Sequence, residues 1–145
     1  MKLRIEKKDA FYVSGYPMET SEETLEKDCA MLREKYEKEL KAVSGHLYFA
    51  STASESGTMI YMLSVVTTSP TPATEGATCW EIPAASFAIA IVPEGAPILP
   101  TWYEFFGNGI KSLGAVIDTD YRYNFESYGE NGVCELWIPI IKSDV

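Results

Sequence analysis

Residues that bind metals or form disulfides are scarce in this 145-residue chain, which has three cysteines and one histidine. Cys29, Cys79 and Cys134 are isolated, and no Cys-x-x-Cys pair occurs. His46 has no other ligand type beside it. Zinc sites need several such ligands at short spacings, so we expect neither a metal nor another cofactor. The three thiols are interpreted as small buried side chains in a reducing compartment.

A long hydrophobic run is also missing. The longest apolar stretch, residues 87–92, is far too short to cross a bilayer. Residues 1–6 lack the apolar core of a secretory signal. We therefore expect a cytoplasmic protein that does not bind membranes.

Basic side chains are outnumbered, with 12 lysines and arginines against 21 carboxylates and a net charge of −9. Such a field repels nucleic acid backbones and anionic membranes, so direct nucleic acid binding is not expected. The same charge mildly favours cationic partners.

Known catalytic motifs are absent from the sequence. It contains no Gly-x-Ser-x-Gly, no phosphate-binding glycine loop and no dinucleotide fingerprint. Glu126 and Glu135 fall on adjacent predicted strands, but Glu126 lies close to a turn and is expected to be exposed. An acid–base pair is therefore not favoured, and we predict no catalytic residue.

The chain has the order strand, helix, two strands, and then repeats it, which predicts one α+β domain over residues 1–145 with an antiparallel sheet. A capping box at Thr20 and Glu23 predicts the start of the first helix, and Ser44-Gly45 its end. One apolar stripe defines that helix: Leu25, Cys29, Leu32, Tyr36 and Leu40. A second helix is predicted from Leu99 or Pro100 to Leu113, weakened by two internal glycines.

Two hairpins are predicted, one from residues 45–50 and 58–66, the other from residues 121–128 and 133–141. In the last strand, Glu135, Trp137 and Pro139 share one face, because strand side chains alternate. A lone carboxylate there must face water, find a partner or line a cavity. A cavity with a carboxylate beside tryptophan would suit a cationic or hydrogen-bond-donating aromatic ligand, whereas a solvated sheet face is the alternative.

Tyrosine is abundant, with nine residues. Its apolar ring and polar tip suit an adaptable ligand cavity. Five lie on predicted strands: Tyr16, Tyr48, Tyr61, Tyr121 and Tyr123. Tyr121 and Tyr123 share a face and could stack on a ligand, and a cation over such a ring gains about 0.5–2 kcal/mol. The alternative is that these side chains cover the sheet edge and core.

Four segments together resemble the gyrase-inhibitor-like family, which also occurs as the effector-binding domain of AraC-type and multidrug-responsive regulators. They cover nearly the whole chain: Phe11-Tyr12-Val13-Ser14-Gly15, Trp80-Glu81-Ile82-Pro83-Ala84-Ala85-Ser86-Phe87-Ala88, Thr101-Trp102, and Phe125-Glu126-Ser127-Tyr128 followed by Glu135-Leu136-Trp137-Ile138-Pro139. The resemblance implies two strand–helix–strand–strand units related by a pseudo-twofold, with a ligand groove between them.

The resemblance also implies a site. A glutamate on the last strand of multidrug-binding members meets cationic, lipophilic compounds in an aromatic pocket, and Glu135 is the matching position. We predict the pocket walls from the aromatic residues Trp102, Tyr61, Tyr123, Trp137 and Tyr16. The chain has no room for a helix-turn-helix domain, so it resembles the stand-alone form.

We therefore expect a binding protein that senses or sequesters lipophilic aromatic cations, with Glu135 as the counter-charge. Two alternatives remain open. The first is a hydrolase of reactive electrophiles in which Glu135 activates water, as the resemblance to larger relatives implies. The second is an interaction module whose acidic surface binds a protein such as gyrase or a regulator.

Overall fold

A computed structural model of the protein describes residues 1–142. In this part, nine strands form a single antiparallel sheet, and the helical segments connect its strands. The strands are β1 (Lys2–Lys8), β2 (Phe11–Thr20), β3 (Leu47–Ala53), β4 (Met59–Thr67), β5 (Thr78–Ile82), β6 (Ala85–Ile91), β7 (Ala115–Ile117), β8 (Asn124–Tyr128) and β9 (Cys134–Lys142). The helices are α1 (Leu25–Lys41), α2 (Ile98–Glu104) and α3 (Ile110–Ser112). Within the described residues, none of these helices has the length and apolarity needed to span a membrane.

The order of strands in the sheet has an internal symmetry. It runs β1-β6-β9-β8-β3-β4-β2-β5, with β7 added beside β9. Exchanging β1 with β5, β6 with β2, β9 with β4 and β8 with β3 gives the same order read from the opposite edge of the sheet. The two halves therefore meet at the β3–β8 pair, and each half supplies the edge strand of the other. This arrangement confirms the predicted α+β fold of two pseudo-symmetric units.

Helix α1 packs on the first half through the predicted apolar stripe. Leu25, Leu32 and Leu40 are buried, and Cys29 and Tyr36 pack beside them. The predicted capping box is wrong. The helix begins after Thr24 without a side-chain cap. The Thr20 hydroxyl instead donates to the Asp28 carboxylate at 2.6 Å, one turn into the helix.

The second helical region is continuous over residues 98–112, as the sequence predicted, but its middle is not α-helical. Residues Phe105–Gly109 form a π-helical turn between α2 and α3. The turn contains Gly107 and Gly109, which favour departures from α-helical geometry. A Cβ at Gly109 would lie 2.7 Å from the Phe105 ring, so the turn packs closely only because this residue is glycine.

The two faces of the sheet carry different hydrophobic clusters. On one face, α1 covers a cluster in the first half, and the second helical region covers another in the second half. The opposite face carries a central cluster around Phe87, Phe125 and Trp137. The predicted alternation in β9 is confirmed, because Leu136 belongs to a helix-covered cluster and Trp137 to the central cluster.

Candidate ligand-binding site

A buried carboxylate lies near the pseudo-twofold, on the helix-covered face. Glu126 is on β8, and its cross-strand neighbours are Phe49 on β3 and Leu136 on β9. Both neighbours are at most 1% exposed, and Glu126 itself is only 4% exposed. The expectation that Glu126 is exposed was wrong, because the second helical region covers its side of the sheet although the turn is close in sequence.

Two aromatic side chains donate hydrogen bonds to this carboxylate. The Trp102 indole Nε1 donates to Glu126 Oε2 at 3.0 Å, and the Tyr128 hydroxyl donates to Oε1 at 2.7 Å. The nearby Tyr61 side chain also favours the ionised form of this carboxylate. Both hydrogen-bond donors are neutral. No salt bridge among the described residues involves Glu126.

The positive charge that acts on Glu126 belongs to Arg33, which packs against the ring of Tyr128. The Arg33 guanidinium lies 4.4 Å from the centre of the Tyr128 ring and forms an ion pair of 2.7 Å with Glu37. Its field favours the ionised form of Glu126 but is shared with Glu37. Glu126 is therefore hydrogen-bonded without having a direct counter-ion.

Burial is the main electrostatic influence at this site. It raises the pKa of Glu126. The hydrogen bonds from Tyr128 and Trp102, together with the nearby Tyr61 and Arg33, offset part of that rise. Burial and the neighbouring Glu126 charge also raise the pKa of Tyr61 and of Tyr128. Both phenols therefore stay protonated at neutral pH, and that of Tyr128 donates to the carboxylate.

A cavity of about 160 Å³ lies between α2 and the sheet, next to the carboxylate. Trp102, which donates to Glu126, forms part of its wall, and so does Tyr61. Tyr103 and Phe106, 53% and 39% exposed, also line it, and so does Glu22. We call this the inner cavity. The inner cavity combines aromatic surface with the Glu22 carboxylate. Tyr61 and Trp102 lie between this cavity and Glu126.

Glu135 occupies a different environment. It lies on the opposite face of the sheet from Glu126, across from Ser127. Its carboxylate forms an ion pair with Arg4 at 2.7 Å, and its side chain is 19% exposed. Because the two glutamates point to opposite faces, they do not form an acid–base pair.

The remaining predicted wall residues are spread over the molecule. Only Tyr61 and Trp102 come together, both at the inner cavity. Tyr16 stacks on Tyr36 at 3.7 Å, and its hydroxyl bonds to the Glu39 carboxylate at 3.1 Å. Trp137 is buried in the central cluster, where its Nε1 has no hydrogen-bond partner among the described residues.

Tyr123 lies near Trp80, with ring centres 5.5 Å apart, in a separate cleft. Tyr121 and Tyr123 were predicted to begin the terminal hairpin, but β8 starts at Asn124 and both residues precede it. Their rings lie edge to face at 6.4 Å. Because residues 121–123 are not in a strand, the predicted sharing of a strand face does not apply to them.

Sequence reasoning did not select Glu126 and Tyr128 as site residues. A usable signal was present, since Glu126 and Tyr128 are two residues apart in a strand and therefore share a face. Whether that face is buried depends on which side of the sheet α2 covers. The pattern of residues in the strand does not show this.

Comparison with known proteins agrees with this architecture. The family described as integron-associated effector binding protein matches residues 4–140. A structure of SAV2435 bound to tetraphenylphosphonium is similar over 97% of this chain and 94% of that chain, with a TM-score of 0.76 and 13% identity. The integron cassette protein VCH_CASS2, from the mobile metagenome of Vibrio cholerae, matches over 96% and 95%, with a TM-score of 0.67 and 13% identity.

The C-terminal domain of EcmrR matches over 98% of both chains, with a TM-score of 0.67 and 13% identity. In a complex of EcmrR with DNA, the match covers 58% of that chain. A sequence comparison with curated proteins gave no significant match. The match over residues 4–140 and the shared architecture lead to one assignment: the chain belongs to the integron-associated effector-binding protein family and has the gyrase-inhibitor-like effector-binding fold.

Proposed function

We propose that this protein binds lipophilic aromatic cations at the inner cavity, with Glu126 as the counter-charge. Sensing or sequestration of such compounds would follow from binding. The proposal moves the counter-charge from Glu135, the residue chosen from the sequence, to a carboxylate at the aromatic cavity. Glu135 already has Arg4 as an ion-pair partner.

One observation carries the proposal: Glu126 is 4% exposed and accepts hydrogen bonds, but none of the described residues forms an ion pair with it. A carboxylate removed from water without a counter-ion is costly, even when it is hydrogen-bonded. A bound cation would supply the missing counter-charge. Its binding free energy would therefore include the removal of this desolvation cost. A neutral ligand of the same shape would gain only the contact with the rings.

The cavity lining supports the same ligand class. Tyr61, Trp102 and the half-exposed Phe106 supply aromatic surface, which attracts cations through the ring faces. Glu22 adds a second negative charge at this cavity. The neighbour SAV2435 was solved with tetraphenylphosphonium, a lipophilic aromatic cation. That observation concerns SAV2435 and supports the choice of probe.

The test compares two phosphorus-centred probes that share three phenyl rings and differ in charge. Tetraphenylphosphonium is the cation, and triphenylphosphine oxide is the neutral control. Isothermal titration calorimetry with the wild type and Glu126→Gln should show the cation weakened at least about tenfold, since two unit charges about 8 Å apart attract by roughly 2 kcal/mol at an effective dielectric constant of about 20. Affinity for the neutral probe should stay within about twofold. An equal change for both probes would refute the charge role of Glu126.

Glu135→Gln is the matched variant, because it removes a carboxylate of the adjacent strand from the opposite sheet face. Its affinity for tetraphenylphosphonium should stay close to that of the wild type. A selective loss of the cation in Glu135→Gln would restore the assignment made from the sequence.

A hydrolase is the second candidate function, favoured by the 2.7 Å contact between Tyr128 and Glu126 beside a cavity. A raised carboxyl pKa suits a general base, and an adjacent phenol can donate a proton. Incubation with reactive alkylating compounds tests this function. Consumption of more than one equivalent per protein would support it, and a single equivalent or none would exclude it for those compounds.

Two further expectations belong to the proposal. The net charge of −9 supports an effector-binding role without direct contact to nucleic acid. The cysteines Cys29, Cys79 and Cys134 are all free, which agrees with a reducing compartment such as the cytoplasm.

A further inference from the structure

The inner cavity is small for the ligand class that it attracts. Its volume of about 160 Å³ is close to that of an apolar cavity of about 150 Å³ that holds one benzene ring. Sites for drug-sized molecules usually measure about 300–1,000 Å³. A ligand with more than one aromatic ring must therefore extend beyond the inner cavity.

A second cleft of about 670 Å³ adjoins it, which we call the outer cleft. Three residues line both spaces: Ser51, Met59 and Asn124. Ser51 and Asn124 are cross-strand partners on β3 and β8, close to the pseudo-twofold. The inner cavity lies on the helix-covered face, and the aromatic wall of the outer cleft packs on the opposite face. The two spaces therefore meet at the end of the central strand pair, and a ligand that occupies both would pass this end.

The outer cleft has an aromatic wall that is already ordered. Trp80 and Tyr123 pack at 5.5 Å, and Tyr121 packs edge to face on Tyr123 and on Phe87. The Tyr121 hydroxyl donates to the Pro83 carbonyl, which fixes this ring. All three wall residues are only partly buried. Their ring surface can therefore be covered by a ligand without rebuilding the sheet.

The charges of the outer cleft differ from those of the inner cavity. Its charged residues are Glu55 and Arg122, one of each sign. Glu126 and Glu22, by contrast, give the inner cavity a negative character. The cationic part of a ligand is favoured inside, and the outer cleft suits an uncharged aromatic group.

Polar groups lie where the two spaces join. The Ser51 hydroxyl donates to the Asn124 carbonyl at 3.3 Å. The Asn124 side-chain amide makes no hydrogen bond to any of the described residues. It can donate to, or accept from, a polar atom in the segment that connects the two parts of a ligand.

We propose that the effector has two aromatic parts, a cationic one in the inner cavity and a neutral one against Trp80, Tyr121 and Tyr123 in the outer cleft. A polar linker passes Asn124. This inference rests on the proposed function, because the cation is placed near Glu126. It adds a subsite that selects among aromatic cations by length and by the position of the second ring.

The experiment uses two probes that share one cationic ring. Benzyltrimethylammonium fills the inner cavity alone, and [4-(benzyloxy)benzyl]trimethylammonium adds an ether oxygen and a second ring. Affinities are measured by calorimetry for the wild type, Tyr123→Ala, Trp80→Leu, Glu126→Gln and the control Tyr12→Ala. Tyr12 is a partly buried tyrosine on β2 that lines neither space.

Tyr123→Ala and Trp80→Leu should each weaken the two-ring probe by about 3- to 10-fold, the range expected for loss of one aromatic contact. Affinity for the one-ring probe should change by less than about twofold in both variants, and Tyr12→Ala should change neither. If Tyr123→Ala does not fold, Tyr123→Leu takes its place, because it keeps apolar volume while it removes the ring.

The two proposals fail in different ways. If Glu126→Gln leaves both probes unchanged, the proposed function is wrong. If Glu126→Gln weakens both probes but the outer-cleft variants affect both equally or neither, the subsite is wrong. In that case the second ring is accommodated elsewhere, for example by displacement of α2.

Discussion

The substitution Glu126→Gln should make the unliganded protein more stable at pH values at which the wild-type carboxylate is ionised. Glutamine keeps the size of the side chain but carries no charge. Its amide oxygen can accept from the Trp102 indole, and its amide nitrogen can donate to the Tyr128 hydroxyl oxygen. The wild-type carboxylate lies between two buried apolar residues without a direct counter-ion. Removing that charge should raise the free energy of unfolding by about 1–3 kcal/mol. For a chain of this size, this corresponds to an increase of roughly 3–9 °C in Tm.

The stability that Glu126→Gln gains over the wild type should increase as the pH rises. Because the pKa of Glu126 is raised in the folded state, the folded protein holds this proton more tightly than the unfolded chain. The resulting stability is fully present below the ordinary glutamate pKa of 4.5 and is lost as the pH rises through the folded-state pKa. The difference between variant and wild type should therefore be smallest near pH 4.5 and largest above the folded-state pKa.

Urea unfolding followed by circular dichroism, at several pH values from 4.5 to 8, measures this difference. Glu19 and Asp28 have lowered pKa values owing to hydroxyl hydrogen bonds, and their effect cancels in the comparison because both proteins contain them. Glu135→Gln is the control, since loss of its partly exposed ion pair with Arg4 should cost about 0–1 kcal/mol. A Glu126→Gln protein that is less stable than the wild type at pH 8 would refute the reasoning.

Three further predictions address other parts of the structure. In Gly15→Ala, the new Cβ would lie 1.8 Å from the Leu63 carbonyl oxygen, so we expect a loss of about 3 kcal/mol or more in urea unfolding. Trp102→Phe removes the indole donor and keeps an aromatic wall. It should raise the pKa of Glu126 further, seen as a higher pH for half-maximal affinity for tetraphenylphosphonium. Burial raises the pKa of Cys29 and Cys134 to about 12, so both thiols should react with iodoacetamide at pH 8 much more slowly than free cysteine, as followed by mass spectrometry.

The sequence predicted the parts of the fold that depend on local patterns. The α1 stripe is helical because its apolar spacing follows the helical repeat, and Leu25, Leu32 and Leu40 are buried accordingly. The Gly15 in the motif that resembled the family has a clear physical role, since the neighbouring strand β4 leaves no space for a Cβ. The capping box failed because Thr20 bonds to Asp28 instead of a backbone amide.

The site was harder to predict because it depends on contacts between distant segments. Glu126 and Trp102 are 24 residues apart, and only the folded position of α2 brings them together. The alternation in β8 and β9 shows that Glu126 and Glu135 lie on opposite faces, but it does not show which face is covered. The apolar residues around Glu135 therefore favoured a site on the last strand, whereas the turn beside Glu126 favoured an exposed carboxylate.

The most direct test of the account is the titration of Glu126 by NMR, with ¹³C-labelled glutamate carboxyl groups and assignment from the Glu126→Gln and Glu135→Gln proteins. Free protein should show a Glu126 pKa above the ordinary glutamate range, and saturating tetraphenylphosphonium should lower it, because a nearby cation favours the ionised form. A Glu126 signal that does not respond to the cation, while that of Glu135 does, would contradict the account.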